Sequence, residues 1–471
     1  MRRRLCTNGR LLIADDTVKA LVHQVMLILL LCDLTACQVR PDSTSPEYRR
    51  PPSAVPINSL NRFGVPSEGR CAGLPRAAVA AQDSSIECIG IIDTDLSFPR
   101  GVTGWDGDIL VVDKGAHLHE AELGRTEGKV YRYVATEAGF KRRLLVAGLN
   151  NPSSISRGQH PADSHLVYVS TGTSIVRFAP DAEDVTASLE QVVTDLPLNG
   201  WHYLSAAYAT KNSLFVTVPS ATDHCEGLES DQIAIDAQFP CPEVDTASGS
   251  SQSFAQTTAS IRGYSIDEDG RISKSFKLVA RGVRDALALV QVPGSTNLLA
   301  ADNGWDDISL EGSELTAAEA PHDEINLLEL SDQSTSSVDA HFGWPYCYDR
   351  GALTPGYAGL SIDCQNYREP LLLLPPHSAP LAMLIHNDQL LVNLHGFETG
   401  GRRTLAFQLG KKGLPTGPAE VFIDWNFTDQ FGYLWGRPFG LARMGPSTLV
   451  VTDDWNRALM LVVQRSSREP K

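Results

Sequence analysis

Short runs of aliphatic and β-branched residues recur six times along the chain from about residue 95. Each run is bounded by polar turn residues, which is the pattern of a buried β-strand. The six runs are Asp108–Val112, His165–Val169, Ser213–Thr217, Asn297–Ala301, Gln389–Asn393 and Thr448–Thr452. No amphipathic helical pattern of comparable regularity competes with them, so the chain is predicted to be all-β.

A second, more alternating strand follows each run, and a turn rich in small residues or proline precedes it. The second strands are Val130–Tyr133, Ile175–Phe178, Ile261–Tyr264, Ile325–Leu328, Thr404–Phe407 and Ala458–Leu461. The turns are Phe98–Gly101, Asn150–Ser153, Gly200–Tyr203, Val283–Ala286, Ser378–Leu381 and Gly436–Phe439. Six repeats of a meander predict a six-bladed β-propeller. A β-sandwich is the alternative, but it does not explain the sixfold recurrence.

The turns that lead into the blades are expected to meet at one mouth of the central channel, because the innermost strand of each blade lines that channel. They carry Arg100, Asn151, His202, Arg284, Asp285 and Arg437. A planar guanidinium grips a carboxylate in two places, so three arginines and a histidine here predict an anion-binding site. The alternative for each arginine is a pair with a neighbouring acidic residue.

Composition narrows the function classes. The 471 residues are 42% hydrophobic and 20% charged, which is typical of a folded soluble protein. The formal net charge of −16 argues against a nucleic-acid partner, because phosphate binding requires a basic surface. We therefore expect no nucleic-acid partner.

The first 37 residues resemble an export signal. Three arginines at positions 2–4 precede the apolar run Val25–Leu31, which is too short to span a bilayer but suits a signal-peptide core. The run leads to Leu34–Cys37, which resembles a bacterial lipobox with Cys37 as the lipidated residue. The sequence thus predicts a lipoprotein of the periplasm or cell surface, attached to the outer membrane, with simple secretion as the alternative.

The remaining segments and cysteines fit that compartment. A Pro/Ser-rich tether is predicted over 38–60, a lead-in segment over 61–94 and the propeller over 95–465. Six cysteines outside the signal form three local couples, and disulfides persist in oxidising compartments. The couples are Cys71 with Cys88, Cys225 with Cys241 and Cys347 with Cys364. Sequence alone permits fifteen connectivities, and local pairing is our expectation.

Three motifs in the second half of the chain carry a family resemblance. The turn Asp302–Gly304 is followed by the acidic segment Asp323–Asn326 and then by Phe342–Cys347. The segment Trp435–Gly440 supports the match nearer the C-terminus. Together these motifs resemble the glucose/sorbosone dehydrogenases, six-bladed propellers that use pyrroloquinoline quinone (PQQ). The resemblance covers residues 95–465.

The resemblance implies cofactors and residues that hold them. In that family, arginines hold the quinone's carboxylates and Ca²⁺ polarises the carbonyl that accepts hydride. Arg284 matches a cofactor-binding arginine, with Asp285 in place of an asparagine beside it. Arg437 matches a second arginine, and Trp435 replaces the arginine that precedes it in the family. The main-chain carbonyls of Gly304 and Trp305 match the calcium ligands, with Trp305 also beside the quinone.

The catalytic base is where the sequence departs from the family. A histidine removes the proton of the sugar hydroxyl in the family, but Leu198 occupies the matching position, with Asn199 beside it. His202 follows four residues later and could act as the base, since the ordinary pKa of histidine lies near neutrality. It could also simply line the channel.

The predicted function is therefore oxidation of a sugar or related alcohol with PQQ and calcium, with electrons passed to an unidentified acceptor. The first alternative is a non-catalytic propeller that binds a carbohydrate or a protein partner at its mouth. The second is a lactonase-type hydrolase, in which Asn151, Asp285 and Asn303 would hold calcium.

Overall fold

The structure is a computed structural model that describes residues 69–75, 77, 80–81, 83–115, 126–137, 139–198, 200–226, 239–245, 257–306, 319–330, 340–396, 400–425, 427–428 and 434–465. The predicted signal with Cys37, the tether over 38–60 and Asn199 lie outside these residues. Within the described ranges, no helix has the length and apolar character needed to cross a membrane.

Six sheets form the blades of a β-propeller. In each blade, four antiparallel strands follow one another from the channel outward. Blade 1 comprises β3 (Pro99–Trp105), β4 (Asp108–Asp113), β5 (Gly128–Thr136) and β6 (Gly139–Leu149). Blade 2 comprises β7 (Pro152–Arg157), β8 (Val167–Thr171), β9 (Ser174–Phe178) and β10 (Glu190–Val193). Blade 3 comprises β11 (Ala207–Ala209), β12 (Ser213–Val218), β13 (Ser260–Ser265) and β14 (Lys277–Arg281), with β18 (Ala340–His341) parallel to β14.

The other three blades repeat this arrangement. Blade 4 comprises β15 (Asp285–Gln291), β16 (Leu298–Asn303), β17 (His322–Leu328) and β21 (Leu372–Pro376). Blade 5 comprises β22 (Pro380–His386), β23 (Gln389–Leu394), β24 (Arg403–Leu409) and β25 (Pro415–Asp424), with β1 (Ala80–Ala81) at its outer edge. Blade 6 comprises β28 (Pro438–Gly445), β29 (Thr448–Asp453), β30 (Ala458–Gln464) and β2 (Ile86–Asp93). The predicted six-bladed all-β fold is confirmed.

Short elements complete the described chain. Two small hairpins are β19 (Cys347–Tyr348) with β20 (Ala352–Leu353) and β26 (Phe427–Thr428) with β27 (Leu434–Trp435). Three 3₁₀ turns span Gly69–Cys71, Pro355–Tyr357 and Cys364–Asn366. These elements lie outside the blade sheets.

The ring is closed by the N-terminal part of the fold. Strand β2 pairs antiparallel with β30, so blade 6 combines an outer strand from residues 86–93 with three strands from the C-terminal end. The segment predicted as a lead-in over 61–94 therefore contributes strands to blades 5 and 6. Closure in this way leaves no unpaired edge on β30, which would otherwise be an aggregation-prone template.

The hydrophobic core consists of layers between neighbouring blades. On β4, Ile109 and Val111 pack with blade 6, whereas Leu110 and Val112 pack with blade 2. Successive side chains of a strand point to opposite faces, so a strand buried on both faces must be apolar throughout. This is why the second strand of every blade is a continuous apolar run in the sequence.

Three disulfides join the couples expected from the sequence. They link Cys71 with Cys88, Cys225 with Cys241 and Cys347 with Cys364. The first fastens the turn at Gly69–Cys71 to the closing strand β2. The other two lie in one aromatic cluster with Trp305, Trp344 and Tyr346, next to the turn that follows β16.

Candidate functional site

The six innermost strands enclose a central channel with a volume of about 420 Å³. Small residues such as Gly101, Ser153 and Ser205 line much of it, because six strands converge where little space remains for side chains. One mouth of the channel is formed by the turns that lead into these strands. The ends of the second strands lie at the same mouth. Contacts between blades show this convergence: Arg100 of blade 1 pairs with Asp454 of blade 6, and the Ser220 N–H of blade 3 donates to the Arg284 carbonyl.

Arg100 is a buried cation with open hydrogen-bonding capacity. Its guanidinium lies 4.3 Å from the ring centres of both Phe98 and Phe439 and 3.4 Å from the Asp454 carboxylate. Its Nε and Nη2 atoms are buried and have no hydrogen-bond partner among the described residues. Buried donors are almost always satisfied, so these N–H groups indicate a missing acceptor.

His395, Arg437 and Asp454 continue this side of the mouth. The His395 Nε2 atom lies 2.9 Å from Asp454, and the Arg437 Nε donates to the His395 carbonyl at 3.3 Å. Burial, together with the nearby Arg437, lowers the pKa of His395 to about 4, so its imidazole is neutral at pH 7. Burial opposes ionisation of Asp454, but the surrounding cations outweigh it and hold its pKa below the ordinary value.

Lys114 extends the same set of cations toward blade 3. Its side chain is buried, and its Nζ lies 3.2 Å from the Tyr203 hydroxyl and 5.1 Å from that ring's centre. Four basic side chains from blades 1, 4 and 6 therefore surround one opening, in a protein with a strongly negative overall charge. They are Arg100, Lys114, Arg284 and Arg437.

Arg284 is held differently, by carboxylates on two sides. Its Nη2 contacts Asp223 closely and lies 3.1 Å from Asp306, and its Nε donates to the Asp223 carbonyl at 3.3 Å. Burial alone would raise the pKa of Asp223, but the guanidinium outweighs burial and holds it well below the ordinary value. Arg284 is thus at the predicted place but has acidic partners within the protein.

Asp285 lies at the start of β15, where the family has asparagine. Asn303 donates to the Asp285 carboxylate at 2.9 Å. The Asn303 Oδ1 atom is buried without a hydrogen-bond partner in the described structure. Asp302 accepts from the Arg284 and Asp285 main-chain N–H groups at 2.9 and 2.7 Å, and burial raises its pKa to about 7. Asn303 therefore presents a free oxygen beside an acidic cluster.

His202 is oriented by Ser220. The His202 Nδ1 lies 3.0 Å from both the carbonyl and the hydroxyl oxygen of Ser220, while that hydroxyl donates to the Thr222 carbonyl at 2.6 Å. Both Ser220 oxygens must then accept, so Nδ1 carries the proton and Nε2 has the free lone pair. A ring nitrogen of His202 also lies within 4.8 Å of carboxylate oxygens of Asp223 and Asp306.

The other sequence-predicted residues fall at or near this mouth. Leu198 is buried in the core between blades 2 and 3, so it is a packing residue. Gly304 donates its N–H to Asp323 at 2.7 Å, and the buried Trp305 ring stacks on His224 at 5.5 Å. Asn151 is buried before β7 with a left-handed backbone. Trp435 lies on β27, and its side chain is outside the described structure.

Lys114, His395 and Asp454 were not predicted as site residues. Each follows directly after the second strand of a blade, as Gly304 does in blade 4. The sequence carries this signal as Asp113-Lys114, Leu394-His395 and Asp453-Asp454. Aligning the ends of the second strands, as well as the turns before the first strands, would have found them.

These features define the class of protein: a six-bladed β-propeller with four basic side chains, and acidic partners for some of them, at one channel mouth. The sequence model of the TrAA12-like family matches residues 88–355, which is more than half of the chain. The chain therefore belongs to the TrAA12-like family. No curated protein sequence matches it.

Several solved structures share the fold of this chain. One is the iodide structure of Trichoderma reesei carbohydrate-active enzymes family AA12, with 20% identity over 83% of this chain and 99% of that chain at a TM-score of 0.65. Another is the holo form of the PQQ domain of pyranose dehydrogenase from Coprinopsis cinerea, with 18% identity, coverage of 83% and 98%, and a TM-score of 0.60. A third is the PQQ-bound aldose sugar dehydrogenase of Streptomyces coelicolor, with 15% identity, coverage of 83% and 99%, and a TM-score of 0.51. The predicted resemblance is confirmed at the level of the family by the TrAA12-like match, and these structures share the six-bladed fold.

Proposed function

We propose that this protein is a PQQ- and calcium-dependent oxidoreductase that oxidises a sugar or related alcohol at the channel mouth. One observation carries the proposal: Arg100, buried among aromatic rings at the mouth, has two guanidinium nitrogens, Nε and Nη2, without an acceptor. An anionic ligand with planar carboxylates suits such a guanidinium. A partner protein or a neutral sugar would not meet that need as well.

The residues at the mouth fit a polycarboxylate cofactor. Arg100 and Arg437 would hold carboxylates on one side, and the buried Lys114 would add a third cation. Arg284 already pairs with Asp223 and Asp306, so its role would be to keep those carboxylates ionised and in place. PQQ, when bound, supplies an acceptor for the two electrons of a substrate C–H bond.

The turn after β16 fits a calcium ion. Calcium prefers hard oxygen ligands. The Asn303 Oδ1 is buried without a partner, and the main-chain carbonyls of Gly304 and Trp305 follow it directly. Asp285, which accepts from the same Asn303 side chain, adds negative charge that favours a divalent cation.

His202 is the proposed general base. Its Nδ1–H donates to Ser220, which leaves Nε2 free to accept the proton of a substrate hydroxyl. The nearby Asp223 carboxylate would stabilise the imidazolium that forms. The Leu198 position cannot serve because an aliphatic side chain has no basic atom.

The place of action is also proposed. We infer that the chain is an exported lipoprotein anchored through Cys37 and facing the periplasm or cell surface. The signal-like segment and the lipobox-like residues support this, as do the three disulfides, which require an oxidising compartment.

Activity after reconstitution tests the proposal. The protein, loaded anaerobically with PQQ and Ca²⁺, should reduce a dye acceptor when given sugars from a panel of aldoses. His202→Gln should lower kcat by about 10²–10⁴-fold, the usual contribution of a general base, with quinone binding unchanged. His165→Gln, a change at a histidine just before β8 in blade 2, should leave kcat unaltered. Quinone binding without turnover of any sugar would instead favour a non-catalytic carbohydrate-binding propeller.

A further inference from the structure

Trp201 is a large apolar side chain left in solvent beside the proposed base. It is 57% exposed. In the described part of the chain, the other exposed large apolar side chains are Leu144, Phe239 and Leu360. Exposing an indole ring costs hydrophobic free energy, and aromatic side chains are common in sites that bind small molecules. The proposed proton transfer, in which His202 is the base, makes no use of Trp201.

The backbone under Trp201 is held firmly. Its N–H donates to the Ala221 carbonyl at 2.8 Å. A Cβ placed on the preceding Gly200 would lie 2.0 Å from that same carbonyl oxygen, so the two segments touch directly. Ala221 in turn donates its N–H to the buried Glu243, which also accepts from Thr222 and Thr258. The exposed ring therefore projects from a braced position, which lowers the entropy that ordering it on a ligand would cost.

The surroundings of Trp201 favour a ligand rich in hydroxyl groups. His202 follows it directly, and the largely exposed Asp306 carboxylate lies within 4.8 Å of a His202 ring nitrogen. Tyr203 comes next, with its hydroxyl near Lys114. A pyranose ring carries hydroxyl groups on its edge and C–H groups on its faces. The face can pack on an indole ring, while the hydroxyls reach carboxylates and imidazole.

We propose that Trp201 is a stacking platform for a sugar ring and that it makes the site selective for cyclic pyranoses over open-chain polyols. This inference rests on the proposed function for the reaction itself, but the binding it describes does not require the quinone. A ring that stacks on Trp201 would bring one of its hydroxyls toward His202. Trp201 is thereby assigned as a specificity-determining residue that takes no part in proton transfer.

Steady-state kinetics of the PQQ- and calcium-loaded protein with D-glucose, D-galactose, cellobiose and D-sorbitol test this selectivity. Trp201→Ala should raise KM for the preferred pyranose about tenfold, the size of one aromatic contact, with kcat within about twofold. KM for D-sorbitol should not change. Trp201→Phe should retain part of the affinity, and Leu144→Ala, at an equally exposed apolar residue on β6, should behave as the wild type.

Saturation-transfer NMR without quinone separates this inference from the proposed function. The wild type should bind the pyranoses, and Trp201→Ala should lose that binding. Such a result would support the platform even if the protein bound no PQQ, in which case only the proposed function fails. The platform is refuted if no pyranose binds to the wild type, or if Trp201→Ala binds them equally well.

Discussion

Arg100 lies at the start of the first strand of blade 1 and Arg284 lies directly before the first strand of blade 4, and their partners differ. Arg284 is paired with Asp223 and Asp306 inside the protein, whereas Arg100 has one carboxylate at 3.4 Å and two buried guanidinium nitrogens without acceptors. The resemblance pointed to Arg284 as a holder of the cofactor. The contacts make Arg100 the better donor to an incoming carboxylate and Arg284 the residue that organises the acidic side.

The pairing of Arg284 with Asp223 predicts a large, partner-dependent effect on stability. Both side chains are almost fully buried, so Arg284→Met should lower the free energy of unfolding by about 3–5 kcal/mol through the uncompensated charge left on Asp223. The double variant Arg284→Met/Asp223→Asn should recover much of that loss. Urea denaturation of the four proteins in a double-mutant cycle measures the coupling, and strictly additive effects would refute the pair.

Asp302 predicts an unusual pH dependence. Burial raises its pKa to about 7, so the folded protein keeps a proton that the unfolded chain releases between about pH 4 and 7. Asp302 should therefore reduce stability as pH rises through this window, by at most about 1.4 kcal/mol per pH unit.

Asp302→Asn should remove that dependence. The free energy of unfolding of Asp302→Asn minus that of the wild type should increase steadily from pH 5 to 7 and level off above pH 7. Urea denaturation at each pH measures this difference. Asp454→Asn is the control, because the pKa of Asp454 is already below its ordinary value and the difference should stay flat over the same range. An equally flat difference for Asp302→Asn would contradict the assignment.

At the scale of elements, the sequence predicted the strands that are buried on both faces. The six apolar runs match β4, β8, β12, β16, β23 and β29 to within two residues, because packing between two blades demands continuous apolar sequence. Strand β11 was hidden, because the three irregular residues 204–206 separate the turn Gly200–Tyr203 from Ala207. The closing strand β2 was missed as well. It pairs with β30, which lies near the other end of the sequence, and no local sequence pattern indicates such a distant partner.

The site was predictable only in part for a similar reason. The turns at the blade entries revealed Arg100, His202, Arg284 and Arg437, because each of these four turns carries one basic residue. Asp223 lies in a loop after β12 with no repeat counterpart, and its pairing with Arg284 joins residues 61 positions apart. Such contacts depend on tertiary packing, which the sequence of a single repeat does not report.

The disulfide Cys225–Cys241 should support the mouth as well as the fold. It lies two residues before Glu243, whose carboxylate holds Ala221 and Thr222 beneath His202 and Trp201. Replacing both cysteines by serine should cost about 3 kcal/mol, as expected for a loop of this length, and should also weaken PQQ binding.

The disulfide Cys71–Cys88 provides the matched comparison. It closes a loop of nearly equal length at the edge of blade 6, away from the channel mouth. Its removal should lower stability by a similar amount and leave PQQ affinity unchanged. Denaturation and calorimetric titration of both double variants distinguish the two roles, and equal effects on affinity would contradict the assignment.

At the scale of the whole molecule, a closed ring of six blades places side chains from distant parts of the chain around one opening. Arg100 and Asp454 are separated by most of the sequence, and the strand β2 holds their blades together by completing blade 6. The ring also concentrates basic side chains in a protein whose net charge is −16. Basic side chains that are not fully neutralised by acidic partners, Arg100 above all, would attract an anionic cofactor.

Calorimetric titration of PQQ into the soluble chain that begins at residue 38, with and without Ca²⁺, tests the central claim most directly. The account predicts tight binding that requires Ca²⁺ and that weakens at least tenfold in Arg100→Met, which removes two charge-assisted hydrogen bonds. Leu144→Ala, on the outer face of blade 1, should bind as the wild type does. Absence of binding at high micromolar PQQ with Ca²⁺ present, by a protein that is folded by circular dichroism, would contradict the account.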